Sequence, residues 1–265
     1  MLEHIREGVE AMTLYETVFN RKSVRHYRME LLPQDFFRNF RKFEHGIQAF
    51  VPGLRYSVEL YNAMDGEAKV KGMFRVKAPY YLVFFSEPGE QAMINAGYIL
   101  EQIVLYMTSH GVGTCYQGGI RVTDIQGPEG MEPLMVVAFG YADEKLYRES
   151  FRAKRLSLKE ISVFKEEPTE ETRLMIQAAR LAPSSFNSQP WRFMVYQNRI
   201  HVFARKELIP MGGKKNLVWL NMGIMLCHIS LAAEECWRDI DFERKDNIAA
   251  KEFKNNQYFL SIILI

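Results

Sequence analysis

Two stretches lying 126 positions apart begin alike: "NAGYILEQIVLYM" from Asn95 and "NMGIMLCHISLAA" from Asn221 share the start N-x-G-x-x-L and carry their apolar positions in register. A long helix that recurs in one chain restricts the fold strongly, because each copy must bury an apolar surface that neither can cover alone. Chance likeness of two core helices is the plain alternative, but the surrounding elements recur in the same order. In the first part, Phe36, Phe37, Phe40 and Phe43 repeat at helical spacing between Pro33 and Gly46. "RYSVELY" (55–61) and "YYLVFFS" (80–86) read as strands, a helix runs from about Met93 to His110, and "LMVVAFGY" (134–141) reads as a buried strand. In the second part, Thr169 caps a helix bearing Leu174, Ala178, Leu181 and Ala182, which must stop before Pro183. "WRFMVY" and "RIHVFA" form a hairpin across Gln197-Asn198, a helix covers about Leu220 to Glu235, and "YFLSIILI" closes the chain as a strand. The expectation is two related halves, 13–155 and 157–265, in one compact unit, with "KEEPTEET" as a tight connection between them.

Composition excludes several classes of function. The formal charge is +2 on 265 residues, which gives no broad field for nucleic acid or acidic membranes. Cys115, Cys227 and Cys236 are scattered without CxxC spacing, so reduced thiols and a cytoplasmic setting are expected. The opening "MLEHIREGVEAM" lacks the apolar run of a signal peptide, and no uncharged apolar run approaches the roughly 20 residues of a membrane span. The six histidines form no HxxxH pair, so no metal site is expected, and His228 within an apolar helix reads as a satisfied core residue. There is no G-x-S-x-G elbow; "GVGTCYQGG" lacks the dinucleotide fingerprint and "MGGKKN" lacks that of a P-loop.

What remains suits an anion and a polar planar ring. Arg21, Lys22, Ser23 and Arg25 put three cations and a hydroxyl within five residues, able to grip a phosphate or to form an ordinary solvated face. Arg152, Lys154 and Arg155 make a second, weaker cluster. In "APSSFNSQPW" (182–191), Ser184, Ser185 and Asn187 can bond backbone or a ligand from a turn, between a helix stopped at Pro183 and an extended entry fixed by Pro190.

Taken together, "RKSVR", "APSSFNSQPWRFMV", "HGVGTCYQGG", and "MVVAFGYADE" followed by "FRAKRLSLKEI" resemble the flavin-dependent nitroreductase family. In particular they resemble its single-chain members, whose two halves imitate the usual homodimer. The likeness spans nearly the whole chain, is weakest between Gly46 and Lys77, and is most specific at "APSSFNSQPW". It implies an α+β fold, a mainly antiparallel sheet flanked by helices, with FMN at the junction of the halves. By the same resemblance Arg21, Lys22 and Ser23 would hold the FMN phosphate, with Arg25 beside them and Lys154 and Arg155 approaching from the end of the first half. Gly118 and Gly119 would let backbone approach the isoalloxazine ring. Pro183, Ser184, Ser185, Asn187 and Gln189 would be the segment that a partner subunit normally lends.

The implied activity is an FMN-dependent oxidoreductase that takes hydride from NADH or NADPH and reduces nitroaromatics, quinones or similar planar acceptors, the flavin carrying the chemistry and no side chain acting as acid or base. The other reading is a flavin-binding protein without turnover, for storage or sensing. Two departures stand out. The second half has no R-x-S-x-R, and the first has "FEHGIQAFVPGLRY" where the serine-asparagine segment belongs, so one complete site per chain and a monomer are expected. At the flavin loop, an often acidic family position is Gly118.

Overall fold

The computed structural model describes residues 12–66, 69–72, 74–123, 125–206 and 217–265. The first eleven residues, read above for a leader, and "MGGKKN" lie outside them. The first half runs α1 (Leu14–Asn20), α2 (Gln34–His45), β1 (Tyr56–Asn62), β2 (Lys69–Gly72), β3 (Tyr80–Ser86), α3 (Ala92–Ser109), β4 (Gly113–Tyr116), β5 (Ile120–Thr123) and β6 (Glu132–Gly140). The second runs α4 (Leu158–Ile161), β7 (Ser162–Phe164), α5 (Glu170–Leu181), β8 (Trp191–Val195), β9 (Arg199–Arg205), α6 (Leu217–Glu235), β10 (Ile240–Glu243), α7 (Asp246–Ala249) and β11 (Asn256–Leu264).

One sheet has the order β1-β3-β6-β4 and the other β10-β11-β9-β8-β7. Strand for strand, β1, β3, β6 and β4 correspond to β8, β9, β11 and β10, and every pairing within these two sets is antiparallel. The extra strand β7 adds to β8 in parallel. The two-half architecture and the mainly antiparallel α+β fold are therefore both present. A ribbon of β2 and β5 covers the outer face of the first sheet. That cover explains why all seven residues of β3 are buried: Leu82 and Phe84 face the main core, while Tyr81, Val83 and Phe85 face the ribbon.

The recurring N-x-G is the point where α3 and α6 touch. A Cβ on Gly97 would overlap the carbonyl oxygen of Leu220 and stand 3.0 Å from the Ile224 nitrogen. One on Gly223 would overlap the Ile94 carbonyl oxygen and stand 3.0 Å from the Tyr98 nitrogen. Only the absence of side chains lets two backbones approach so closely. A single apolar cluster then runs through both halves, from Leu82 and Leu100 to Trp191 and Ile262. Helix α6 is long and apolar enough to pass for a membrane span, contrary to the reading from uninterrupted runs, yet 78% of its most apolar window is buried inside the protein.

Candidate functional site

The segment "RKSVR" is delivered by α1, whose start is fixed by a capping box: the Glu16 amide donates to Thr13 Oγ1 (3.1 Å) and the Thr13 amide to Glu16 Oε2 (2.8 Å). Beyond the helix, backbone bridges join Arg21 to Tyr147 and Ser23 to Thr114, and the Val24 amide donates to the Thr114 carbonyl at 2.9 Å. Gly113 permits this approach, since a Cβ there would lie 2.8 Å from Val24.

The opposite wall is the turn after α5. Phe186, Asn187 and Gln189 all have left-handed backbone, at φ 53°, 57° and 46°. Asparagine tolerates that region, whereas phenylalanine and glutamine adopt it under strain that the surroundings must hold. The holding bonds are explicit. The Ser185 amide donates to Asn221 Oδ1 (3.0 Å), the Gln189 amide to Ser184 Oγ (3.0 Å), and the Leu156 amide to Gln189 Oε1 (2.8 Å). Asn187 Oδ1 accepts from Arg155 Nη1 (2.8 Å), while its Nδ2 donates to the Lys154 carbonyl (3.0 Å).

Between these walls lies a cleft of about 600 Å3, within the usual range of small-molecule sites. Ser23, Arg25, Gly118 and Gly119 line it from the first half, and Pro183, Ser184 and Ser185 from the second. The other residues named from sequence stand elsewhere. Lys22 turns to Glu144, at 2.6 Å between Nζ and Oε2, and the Arg25 and His26 amides donate to the other oxygen of the same carboxylate. Burial would raise the Glu144 carboxyl, but these hydrogen bonds outweigh it and hold it at about 2. Lys154 is exposed and contributes its backbone carbonyl to Asn187. Asn187 and Gln189 brace the turn, and Arg21 and Arg155 lie behind the wall rather than in the lining.

Arg21 is 1% exposed, and its Nε and Nη2 have no hydrogen-bond partner. The Nε atoms of Arg148 and Arg155 are likewise buried and unpartnered. These guanidinium groups sense one another: burial, then the Arg21 charge, lowers Arg148 to about 10, and burial, then Arg148 and Arg21, lowers Arg155 to about 9. One buried and two half-buried cations, each with at least one buried donor unspent, make a receptor for a multiply charged anion such as a phosphate. Their partial counterweight is Glu101, fully buried, whose Oε2 accepts from the Tyr116 hydroxyl (2.8 Å) and whose Oε1 lies 2.9 Å from His228 Nε2. His228 Nδ1 lies 2.9 Å from the Ala178 carbonyl oxygen, so the core histidine is satisfied, and through Glu101 it ties the halves together. Among the described residues no group of three or more His, Cys, Asp or Glu is placed to hold a metal.

The correspondence of the halves shows what stands at the place equivalent to the cleft. As Ser185 donates to Asn221, the Val51 amide donates to Asn95 Oδ1 at 3.0 Å. Residue by residue, Ser184, Tyr116 and Ile224 of the cleft correspond to Phe50, Phe242 and Tyr98. Those three rings are in contact, with centroids 5.1 Å apart for Phe50 and Phe242 and 5.5 Å for Phe50 and Tyr98. The mate of the cleft is filled with aromatic side chains.

Sequence reasoning missed several members of the site. Asn221 was signalled by its place in the repeat. Gln117 was not: its Oε1 accepts from the Val76 amide (3.0 Å) and anchors a loop, Phe74 to Val76, on the rim of the cleft. Arg148 sits in the unremarkable stretch "KLYRES" and carried no signal of burial.

Among solved structures, a "putative nitroreductase" from Thermotoga maritima matches with a TM-score of 0.64 at 19% identity, covering 99% of this chain and 98% of its own, a likeness of fold. A nitroreductase family protein from Clostridium difficile matches at a TM-score of 0.46 and 16% identity, over 56% of this chain and 96% of its own. An FMN-dependent nitroreductase from Mycobacterium smegmatis, in complex with NADPH, matches at 0.41 and 16%, over 55% and 95%. No curated protein matches. A family model described as "Putative TM nitroreductase" covers residues 13–233, across both halves and both walls of the cleft, and the chain belongs to that nitroreductase family.

Proposed function

We propose that this protein is an FMN-dependent oxidoreductase that carries electrons from NADH or NADPH to nitroaromatic, quinone or similar planar acceptors, with one flavin site per chain. The observation that carries the reading is a trio of arginines, the buried Arg21 and the half-buried Arg148 and Arg155, with buried unpartnered nitrogens behind a cleft lined by two glycines. The residues present fit FMN on that ground: a phosphate would satisfy the orphaned donors, and an extended flat ring suits the cleft beside Gly118 and Gly119.

When bound, FMN supplies the redox chemistry, so that NAD(P)H, a proton and a nitro compound give NAD(P)+, the nitroso compound and water, with two electrons moved. The chain's own residues hold and polarise. Ser23 and Arg25 from the lining and Arg21, Arg148 and Arg155 from behind it would hold the phosphate, and Lys22 acts through Glu144 to fix the backbone of Arg25. Backbone N–H groups near Gly118 and Gly119 would be the donors available to hold the ring. Pro183, Ser184, Ser185 and Asn221 form the opposing wall. Asn187 and Gln189 are positioning residues, and Lys154 takes part through its backbone.

The test is the absorbance of purified protein, with the released cofactor identified. NADH or NADPH should bleach the flavin band and a nitro or quinone acceptor restore it. Protein that fails to take up added FMN refutes the proposal, and flavin that stays oxidised under excess of both donors refutes turnover.

A further inference from the structure

Two phenylalanines at the rim of the cleft break two rules at once. Phe74 from the first half is 88% exposed and Phe186 from the second is 70% exposed, and both have left-handed backbone, at φ 59° and 53°. Exposed aromatic rings on strained backbone, facing one cleft from opposite halves, belong to a surface that meets a ligand rather than to a core.

Beside Phe74 stands Arg75, exposed, with Nη1 spent on the Val70 carbonyl (2.8 Å) and no carboxylate partner among the described residues. The described lining of the cleft holds two cations, Arg25 and Arg75, and no Asp or Glu. With Arg21, Arg148, Arg155 and Arg25 serving the phosphate, Arg75 remains as a positive charge beside two rings. The loop is held in place: the Val76 amide is bonded to Gln117, and Gly72 packs on the Gly119 carbonyl where a Cβ would overlap it.

We infer that the mouth of the cleft selects a flat aromatic ring bearing an anionic group, which meets the rings of Phe74 and Phe186 and sets its negative charge on Arg75. The inference rests on the flavin reading and names its substrate class. The anionic ring has two possible sources, the electron acceptor or the phosphate-bearing nicotinamide donor, so the two half-reactions are to be measured apart.

The experiment uses FMN-loaded protein whose flavin band has been recorded. Reoxidation of the reduced protein by 4-nitrobenzoate is compared with that by its neutral counterpart 4-nitrobenzamide, and reduction by NADH is followed separately. At low salt the benzoate is expected to react about fivefold faster at equal subsaturating concentration, the size of a partly exposed ion pair, and the ratio should fall as salt is raised. Arg75→Gln should bring the ratio toward one with the flavin band retained. Phe186→Leu should weaken both acceptors by a similar factor of about two to ten. If Arg75→Gln slows reduction by NADH while the acceptor ratio is one, the anion belongs to the donor and the shared chemistry stands. A ratio of one at every salt, with NADH reduction indifferent to Arg75→Gln, overturns the inference. Absence of a flavin band overturns instead the reading on which it rests.

Discussion

Arg21→Met should stabilise the protein without flavin and abolish its response to flavin. The guanidinium is 1% exposed, always charged, and leaves two nitrogens without partners. A buried polar group left unsatisfied costs about 1–3 kcal/mol, and more when charged, so replacing it with an unbranched apolar chain of similar reach should recover at least that. For a chain of this size about 1–3 kcal/mol corresponds to roughly 3–10 °C in Tm. The backbone bridge to Tyr147 and the hydrogen bond from the Arg21 amide to the Thr17 carbonyl do not involve the side chain and persist. Toward FMN the sign reverses. Two charge-assisted hydrogen bonds at about 1.5–3 kcal/mol each predict an affinity loss of roughly 100- to 10,000-fold. At FMN equal to 100 times the parent Kd, the parent gains about 2.7 kcal/mol and the variant almost nothing, so the order of the two melting curves closes or inverts. The assay is thermal unfolding of both proteins with and without FMN. An Arg21→Met protein that melts below the parent without FMN, or that gains as much from FMN, refutes the reasoning.

Three further outcomes can be checked. Glu144 has a folded value near 2 against an ordinary value of 4.5, so its stabilisation is complete above about pH 5 and disappears as pH falls toward 2; the stability difference between parent and Glu144→Gln should narrow over that window in denaturant titrations. Gly97→Ala forces a methyl group into the Leu220 carbonyl and should lower stability by about 1–3 kcal/mol or more, read from the urea midpoint, whereas Gly111→Ala, with open space around its Cβ position, tests the left-handed backbone alone. Asn187→Ala removes the brace to Arg155 and should weaken FMN binding about 10-fold or more with the absorbance of bound flavin little altered, because the side chain acts through Arg155.

The strands and long helices were legible because period and punctuation agree at β1, β3, α3, α5 and the β8–β9 hairpin. The repeated Asn-x-Gly was legible as a repeat but not as a contact, since nothing in one sequence says that Gly97 and Gly223 face each other. Lys22 illustrates what composition hides. It reads as a phosphate cation, and only folding brings in Glu144, 122 residues away, to take it up. Asn187 and Gln189 were read as ligand residues and stand instead as braces, because hydrogen-bonding side chains in a turn look alike whether they face a ligand or backbone. Arg148 could not be found at all, as the half-burial of an arginine with its Nε shut from water is decided by tertiary packing alone.

Both walls of the cleft lie on one polypeptide, and that has a consequence of its own. A site shared between separate subunits dissolves on dilution, whereas here the walls meet at a fixed effective concentration, and cofactor affinity should not depend on how much protein is present. The two copies of each position are also encoded separately. Phe50 and Tyr98 could replace cleft residues in one copy while Ser184 and Ile224 were kept in the other, a freedom that a symmetric pair of identical chains does not have.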